Sequence, residues 1–390
     1  MRRREMVRCV RAGEALRSVA RAFKVNVSTV SLWVTRSHGQ RLDRYPFADG
    51  KPGRAWNRTK ASLERQILRT RAQLHKHSVL GEYGADAIQR ALCGERVQAC
   101  CPSRATINRI LRRRGALDGV ARIRRPAPPR GWYLPTVREA KTELDSFDFI
   151  EDLKIAKGPL VQVLTAKSLH GGLADAWIMP HLSATTTVQF LLERWRRDGL
   201  PAYAQFDNDT VFQGAHQFVD TVGRVSRLCL ALGVVPVFVP PLEHGMQNLI
   251  EGFNALWQAK VWQRHHVPSP RALQQLSNRY IAAHRARTTE LADRAPQRQP
   301  VPRSFELDLT APLRGLMIFI RRTDHNGQVS LLGRRFLVSR GWLHRLVRCE
   351  VHFEHRRIRC FAIRRRAPDD QQLLATLPYR SPDKPFQGAK

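Results

Sequence analysis

Positive charge is distributed very unevenly along this chain of 390 residues. Its 66 Lys and Arg outnumber its 33 Asp and Glu, which gives a formal net charge of +33. Residues 1–140 hold 31 basic and 10 acidic side chains, residues 141–260 hold 10 and 13, and residues 261–390 hold 25 and 10. Such an excess requires a polyanionic partner. We therefore expect two basic regions that grip nucleic acid phosphates on either side of a central domain that uses carboxylates.

Composition excludes several other classes of protein. With 43% hydrophobic and 25% charged residues, the chain is typical of folded proteins rather than of disordered, collagen-like or coiled-coil ones. Seven Cys without a CxxC pair argue against a disulfide scaffold and a structural zinc site. The basic start is not followed by an apolar segment, and Gly and Pro interrupt the longest apolar stretch, residues 228–242. We expect a cytoplasmic protein with no signal peptide and no membrane partner.

A first helix-turn-helix domain is predicted over residues 1–50. Apolar residues recur at helical spacing in 15–23, and Asn26 can cap a second helix. That helix would present three hydroxyl side chains to a major groove, namely Ser28, Thr29 and Ser31. Lys24 stands where the pattern usually has Gly. A plain helical hairpin is the alternative interpretation.

Residues 60–117 predict a second helix-turn-helix domain. Ser103 can cap a helix whose apolar side is Ile107, Ile110 and Leu111. Its other side carries basic and amide groups suited to base edges, namely Arg104, Asn108, Arg109 and Arg112. The alternative is a solvated basic helix face. Residues 118–140, rich in Pro and Arg, predict a stiff basic linker.

The central segment predicts a mixed sheet with helices on its faces. We expect the order β-β-β-α-β-α-β-α, with the segments 147–150, 160–166, 172–179, 185–197, 201–206, 216–232, 234–239 and 248–262.

Three acids occupy special places in this order. Asp148 lies within the first strand, Asp207 ends the fourth, and Glu251 lies in the first turn of the last helix. Acids in such places are costly to bury unless a cation or a basic partner neutralises them. Carboxylates without a His or Cys cluster suit Mg²⁺ or Mn²⁺, and two such ions support phosphodiester chemistry. For each acid alone, a salt bridge or a helix cap explains its position equally well.

These blocks resemble a known family. The segment 145–264 is similar to the catalytic core of the retroviral-integrase-like DDE transposases of bacterial insertion sequences, which has a ribonuclease H-like fold. The matching stretches are SFDFIEDL around Asp148, AQFDNDTVF around Asp207, and EHGMQNLIEGFN around Glu251. The resemblance implies a ribonuclease H-like catalytic core, which we place at residues 141–290.

The resemblance also implies a mechanism. Asp148 would bridge two Mg²⁺ or Mn²⁺ ions, and Asp207 and Glu251 would each complete one site. Asn208, Asp209 and Asn254 would lie near the site. The enzyme would cleave the 3′ ends of a mobile element and join them to target double-stranded DNA, as a homo-oligomer associated with the bacterial nucleoid.

Two features depart from the family pattern. Asp209 replaces the usual Gly, which predicts a left-handed turn there, and the gap of 44 residues between Asp207 and Glu251 is longer than is common. A catalytically silent DNA-binding regulator derived from such an enzyme is the alternative function. An RNA- or ribosome-associated protein would explain the charge but not the acids.

The C-terminal region predicts a small, basic β-barrel over residues 311–368. Five short strand-like segments occur there, and we expect Arg364, Arg365 and Arg366 to contact DNA phosphates. Residues 369–390 predict a polar tail. The predicted fold class is thus multidomain α+β, with helix-turn-helix units, a mixed α/β core and a barrel.

Overall fold

The computed structural model of the protein describes residues 2–45, 47, 59–94, 101–117, 131–156, 158–215, 218–240, 243, 245–380 and 386. The chain divides into two compact units, residues 1–69 and residues 70–390. Most of the predicted linker, residues 118–130, and most of the predicted tail beyond residue 380 lie outside the described residues. Within the described ranges no helix is long and apolar enough to cross a membrane.

The first unit contains the predicted pair of helices. Its helices are α1 (Arg2–Arg11), α2 (Leu16–Ala22) and α3 (Val27–Arg36). Ala20, Val30 and Trp33 are buried between them. The Asn26 side chain caps α3 by accepting a hydrogen bond from the backbone N–H of Ser28. Lys24 has a φ of 52°, so it adopts the left-handed conformation for which the usual Gly is suited.

Three further helices follow along the chain. Helix α4 (Ala61–His77) includes the boundary between the units, and α5 (Ala85–Cys93) and α6 (Arg104–Arg113) follow. The Ser103 side chain caps α6 by accepting from the Thr106 N–H at 3.2 Å. A disulfide between Cys93 and Cys101, which the sequence did not predict, joins the end of α5 to the segment before α6.

The rest of the second unit is built around one large sheet. Its elements are α7 (Pro135–Arg138), β1 (Leu144–Lys154), β2 (Leu160–Ser168), β3 (Ala174–Met179), α8 (Ala184–Asp198), β4 (Tyr203–Phe206), α9 (Thr210–Gln213), α10 (Arg224–Ala231), β5 (Val235–Phe238), α11 (Asn248–Trp257), a π-helical turn (Gln258–Trp262), α12 (Pro270–Arg287), α13 (Thr289–Asp293), β6 (Leu316–Arg322), β7 (Gln328–Leu331), β8 (Arg334–Leu337), β9 (Leu346–His352), β10 (Arg357–Ala362) and β11 (Leu373–Pro378).

The sheet has nine strands in the order β11-β10-β9-β6-β5-β4-β1-β2-β3. Strands β1, β2 and β3 pair antiparallel, whereas β1, β4, β5 and β6 are parallel neighbours. This mixed α/β architecture is the one that the sequence predicts, and its β3-β2-β1-β4-β5 part is consistent with a ribonuclease H-like core. The predicted helix over 216–232 begins only at Arg224, and residues 216 and 217 lie outside the described part of the chain.

The predicted C-terminal barrel is not what the structure shows. All five expected strands are present, but β6, β9 and β10 extend the central sheet, and β7 and β8 form a separate hairpin. A row of packed aromatic rings explains why. Phe147, Phe206, Phe238 and Phe319 lie on four adjacent strands with ring centroids 5.2–5.9 Å apart. Burying Phe319 in this row joins β6 to the core. Residues 373–378, expected in the polar tail, form β11 and pair with β10.

Alternate residues of β1 contribute to two different cores. Phe147 and Phe149 pack into the core that contains residues of α8 and α10, while Ile150 packs with residues of α11 and α12. Because successive side chains of a strand point to opposite faces, Asp148 shares the face of Ile150. Asp148 is thereby placed on the side of the sheet that α11 covers.

Candidate active site

Asp148 lies in the middle of β1 and is partly buried. Its Oδ1 accepts a hydrogen bond from the backbone N–H of Phe149 at 3.0 Å. Its Oδ2 accepts one from Asn254 Nδ2 at 2.7 Å. The Asn254 Oδ1 in turn accepts from the Thr165 hydroxyl at 2.6 Å, which fixes the amide so that its NH₂ faces the carboxylate. Asn254 therefore orients Asp148, whereas Thr165 was not singled out from the sequence.

Asp207 follows the last residue of β4 directly. Parallel strands that lie side by side end at the same edge of a sheet, and this edge is where α/β proteins bind ligands. The Asp207 Oδ1 accepts a hydrogen bond from the Asp209 backbone N–H at 3.0 Å. The Asn208 side chain donates to the Val239 carbonyl at 2.5 Å and so ties the turn after β4 to the end of β5.

Asp209 does not adopt the left-handed conformation expected of the residue that replaces Gly. Its φ is −60° and its ψ is 144°. It is the N-cap of α9, where its Oδ1 accepts from the Val211 N–H at 2.7 Å. Phe212 in that short helix is fully buried and stacks on Phe149 with ring centroids 4.7 Å apart. The turn therefore survives without backbone strain, because Asp is a preferred capping residue.

Glu251 lies in the first turn of α11 and is exposed. Asn254 follows three residues later, so the two side chains are neighbours on the helix surface. The apolar side of α11, formed by Ile250, Phe253 and Trp257, is buried in the core that also contains β1 residues. Glu251 is consequently held next to the residue that contacts Asp148.

The charges of Asp207 and Glu251 act on Asp148. Burial and the negative charges of Asp207 and Glu251 together raise the pKa of Asp148 to about 7, against the opposing hydrogen bond from the Phe149 N–H. Like charges produce such shifts only at short range. Asp207 and Glu251 thus lie near enough to Asp148 for their charges to act on it. Perturbed carboxyl groups of this kind are typical of functional sites.

The carboxylates of Asp148, Asp207 and Glu251 suit a hard divalent cation by their chemistry, but less well by the present positions of their side chains. All three groups are carboxylates, the ligands that Mg²⁺ and Mn²⁺ prefer. Among the described residues, however, no group of three or more His, Cys, Asp or Glu side chains is arranged to hold a metal ion.

A buried ion-pair network fixes the base of β1. Asp145 and Arg194 are fully buried, and the Arg194 Nε donates to Asp145 Oδ2 at 2.9 Å. Arg298 donates to Asp145 Oδ1 at 2.6 Å, and Arg194 also pairs with Asp175. Burial alone would raise the pKa of Asp145, but the charges of Arg194 and Arg298 outweigh it and hold the pKa well below its usual range. Side chains of β1 alternate between the two faces of the sheet. This alternation was the sequence signal that could have shown that Asp145 and Asp148 lie on opposite faces.

The predicted DNA-reading groups of the second helix pair are exposed on α6. Arg104, Asn108, Arg109 and Arg112 all face solvent. Arg104 approaches Asp86 at 3.4 Å, and Asp86 also contacts Arg287 of α12. In the first unit Ser28 is exposed but uses its hydroxyl to donate to Asn26, and Thr29 and Ser31 are only partly exposed.

The three C-terminal arginines differ in their surroundings. Arg364 pairs with Asp370, and its guanidinium lies 4.7 Å from the centre of the Trp342 ring. Arg365 and Arg366 are exposed. The Arg365 guanidinium lies directly against Gly245, in the loop before α11. Arg365 and Arg366 are therefore more open to solvent than Arg364.

Among solved structures, the chain is similar to several integrases. No protein-family model matches the chain, and no curated protein matches it. A chain of the simian T-cell lymphotropic virus intasome, in complex with the PP2A regulatory subunit B56 gamma, is 13% identical over 82% of this chain and 99% of its own, with a TM-score of 0.34.

Two integrase catalytic cores are also similar in structure. The BIV integrase core is 17% identical over 36% of this chain and 81% of its own, with a TM-score of 0.26. The HTLV-2 integrase core in complex with magnesium is 12% identical over 40% of this chain and 87% of its own, also with a TM-score of 0.26. At these values the likeness transfers no activity to this chain.

Proposed function

We propose that this protein is a DDE-type DNA transposase or integrase of a bacterial mobile element. It would bind the element's ends, cleave their 3′ ends and join them to target DNA. The observation that carries the proposal is the electrostatic coupling of Asp148 to Asp207 and Glu251 at one edge of the sheet. Burying an acid close to other acids is costly, and acids placed in this way are typical of functional sites.

Asp148, Asp207 and Glu251 are the residues that would hold two Mg²⁺ or Mn²⁺ ions. When bound, such ions activate the attacking oxygen and stabilise the leaving oxygen of a phosphodiester. Asn254 keeps Oδ2 of Asp148 in place, and the buried pairs of Asp145 with Arg194 and Arg298 prevent β1 from shifting. A rigid arrangement of this kind is what positioning of reactants requires.

The flanking basic regions would supply the DNA contacts. The exposed face of α6 has the residue types that read base edges. A cavity of about 220 Å³ also lies between the end of α4 and α12 and includes four basic side chains in its lining, namely Lys76, Lys260, Arg264 and Arg279. Because two element ends must be joined to one target, we propose that the protein acts as a homo-oligomer on nucleoid DNA.

A strand-transfer assay tests the proposed function. The substrate is a labelled duplex that carries the inverted repeat flanking the coding region, incubated with full-length protein and target plasmid with and without Mg²⁺. We expect joined products only with the cation. Specific binding without cleavage or joining in Mg²⁺ or Mn²⁺ would instead indicate the silent DNA-binding regulator.

A further inference from the structure

Arg321 lies at the same sheet edge as the candidate active site. It belongs to β6, which runs parallel to β5, and β5 runs parallel to β4. The register aligns Phe206 with Phe238 and Phe238 with Phe319. Two residues beyond this row, the chain reaches Asn208 after β4 and Arg321 on β6.

The Arg321 guanidinium connects three strand ends. Its Nη2 donates a hydrogen bond to Asn208 Oδ1 at 2.7 Å. Its Nη1 donates to the carbonyls of Ile320 at 2.8 Å and Phe238 at 3.3 Å. The guanidinium also lies 5.0 Å from the centre of the Phe319 ring. Since Asn208 itself donates to Val239, its amide is held from both sides.

Arg321 differs from neighbouring arginines in having carbonyl and amide partners instead of an acid. Burial lowers the pKa of Arg321 to about 10, so the side chain stays charged at neutral pH. Within the described part of the chain it forms no ion pair. Four other C-terminal arginines do have acidic partners, namely Arg322 with Glu243, Arg334 with Asp220, Arg348 with Glu350, and Arg364 with Asp370. Desolvating a charge without an acid is costly, which calls for a role other than surface charge.

We propose that Arg321 is a positioning residue of the active site, which acts through Asn208 to fix the turn that carries Asp207. The inference rests on the proposed function, because it assigns a purpose to that turn. The C-terminal region would then complete the catalytic core and would not serve only as a DNA-binding appendage. Arginine suits this role because its planar fork donates in several fixed directions, which lysine cannot reproduce.

Metal binding by the full-length protein tests the inference without relying on catalysis. Calorimetric titration with Mn²⁺ alone compares the wild type with Arg321→Met, Arg321→Lys, Asn208→Ala and the Arg321→Met/Asn208→Ala double variant. We expect the Mn²⁺ affinity to fall about 10-fold in each single variant, as is typical when a partner of a metal ligand is lost. The double variant should lose no more Mn²⁺ affinity than whichever of Arg321→Met and Asn208→Ala binds Mn²⁺ more weakly. Arg335→Met, which removes an exposed charge on β8, is the matched control and should bind Mn²⁺ as the wild type does.

The outcomes separate the inference from the proposed function. If the wild type binds Mn²⁺ and folded Arg321→Met binds it equally well, Arg321 only holds neighbouring strands together. A lowered melting temperature would then be the sole effect of the substitution. A double variant whose loss of Mn²⁺ affinity is the product of the two single losses would also overturn the inference. If Arg321→Met does not fold, Arg321→Lys and Asn208→Ala decide the question in the same way. A wild type that binds no Mn²⁺ would refute the proposed function itself.

Discussion

Asp145 and Asp148 lie three residues apart on β1 and are in opposite electrostatic states. Asp145 is fully buried against Arg194 and Arg298, which hold its pKa well below the usual range. Asp148 faces the other side of the sheet, where burial and the charges of other acids raise its pKa to about 7. One strand thus carries a structural acid and a candidate catalytic acid, and only their partners distinguish them.

Asp145→Asn should strongly destabilise the second unit. Removing one partner of a buried ion pair typically costs about 3–5 kcal/mol, because the remaining charges stay buried. Glu139→Gln, which breaks the exposed pair with Lys141, should cost far less, because solvent screens that pair. Urea unfolding of the two variants at neutral pH measures the difference. Equal losses would contradict the structural role of Asp145.

The pH dependence of stability follows from the sign of the Asp145 shift. Because the pKa is lower in the folded state, the unfolded chain binds the proton more tightly. The contribution of Asp145 to the free energy of unfolding is complete above its unfolded-state pKa of about 4. It falls as the pH drops from there towards the folded-state pKa. We expect the wild type to lose stability over this acid range more steeply than Asp145→Asn. Urea unfolding at a series of acid pH values checks this, and parallel curves would contradict it.

The sequence singles out the three acids because each stands at a recognisable place in a strand, turn or helix, and it singles out Asn254 only through the family resemblance. It does not single out Arg194, Thr165 or Arg321. Their partners are far away along the chain, as in the 113 residues between Arg321 and Asn208. Periodicity reports which side of an element is apolar, but it does not report which distant side chain meets it.

Among the elements, α6 exposes the residue types that are best suited to reading DNA bases. Asn108 is exposed on it, and an amide can make two hydrogen bonds to adenine. Asn108→Ala in the full-length protein should relax sequence preference by about 1–3 kcal/mol at one position. Asn278→Ala, at an exposed position on α12, is the matched control. Competition binding with end DNA and single-position variants of it measures the preference, and an unchanged profile for Asn108→Ala would refute the assignment.

The C-terminal strands could be predicted from the sequence one by one, but the way they assemble could not. Alternating apolar residues indicated each strand correctly, because period-two patterning marks a half-buried strand. The same pattern suits a closed barrel and an extension of an existing sheet. The choice depends on what covers the edge of β5, and that is decided by the packing of Phe319 against Phe238.

At the scale of the whole molecule, net positive charge should control affinity for DNA of any sequence. Arg365→Ala/Arg366→Ala should flatten the slope of log K against log salt by up to about 2 units, since each neutralised phosphate contributes about 0.9. Arg364→Ala should change the slope by less than about 1 unit, because that side chain pairs with Asp370. Salt titrations on specific and random duplexes measure both. A loss confined to specific DNA would contradict this division of labour.

The most direct test of the central claim neutralises the three acids one at a time. Asp148→Asn, Asp207→Asn and Glu251→Gln keep the shape of each side chain, and Glu193→Gln, an exposed acid on α8, is the control. Strand transfer in Mg²⁺ should fall by more than about 100-fold in each of the three, because losing even an outer partner of a metal ligand costs about 10–100-fold. Binding to end DNA and the melting temperature should stay close to those of the wild type. Near-normal strand transfer by any of the three variants would contradict the account.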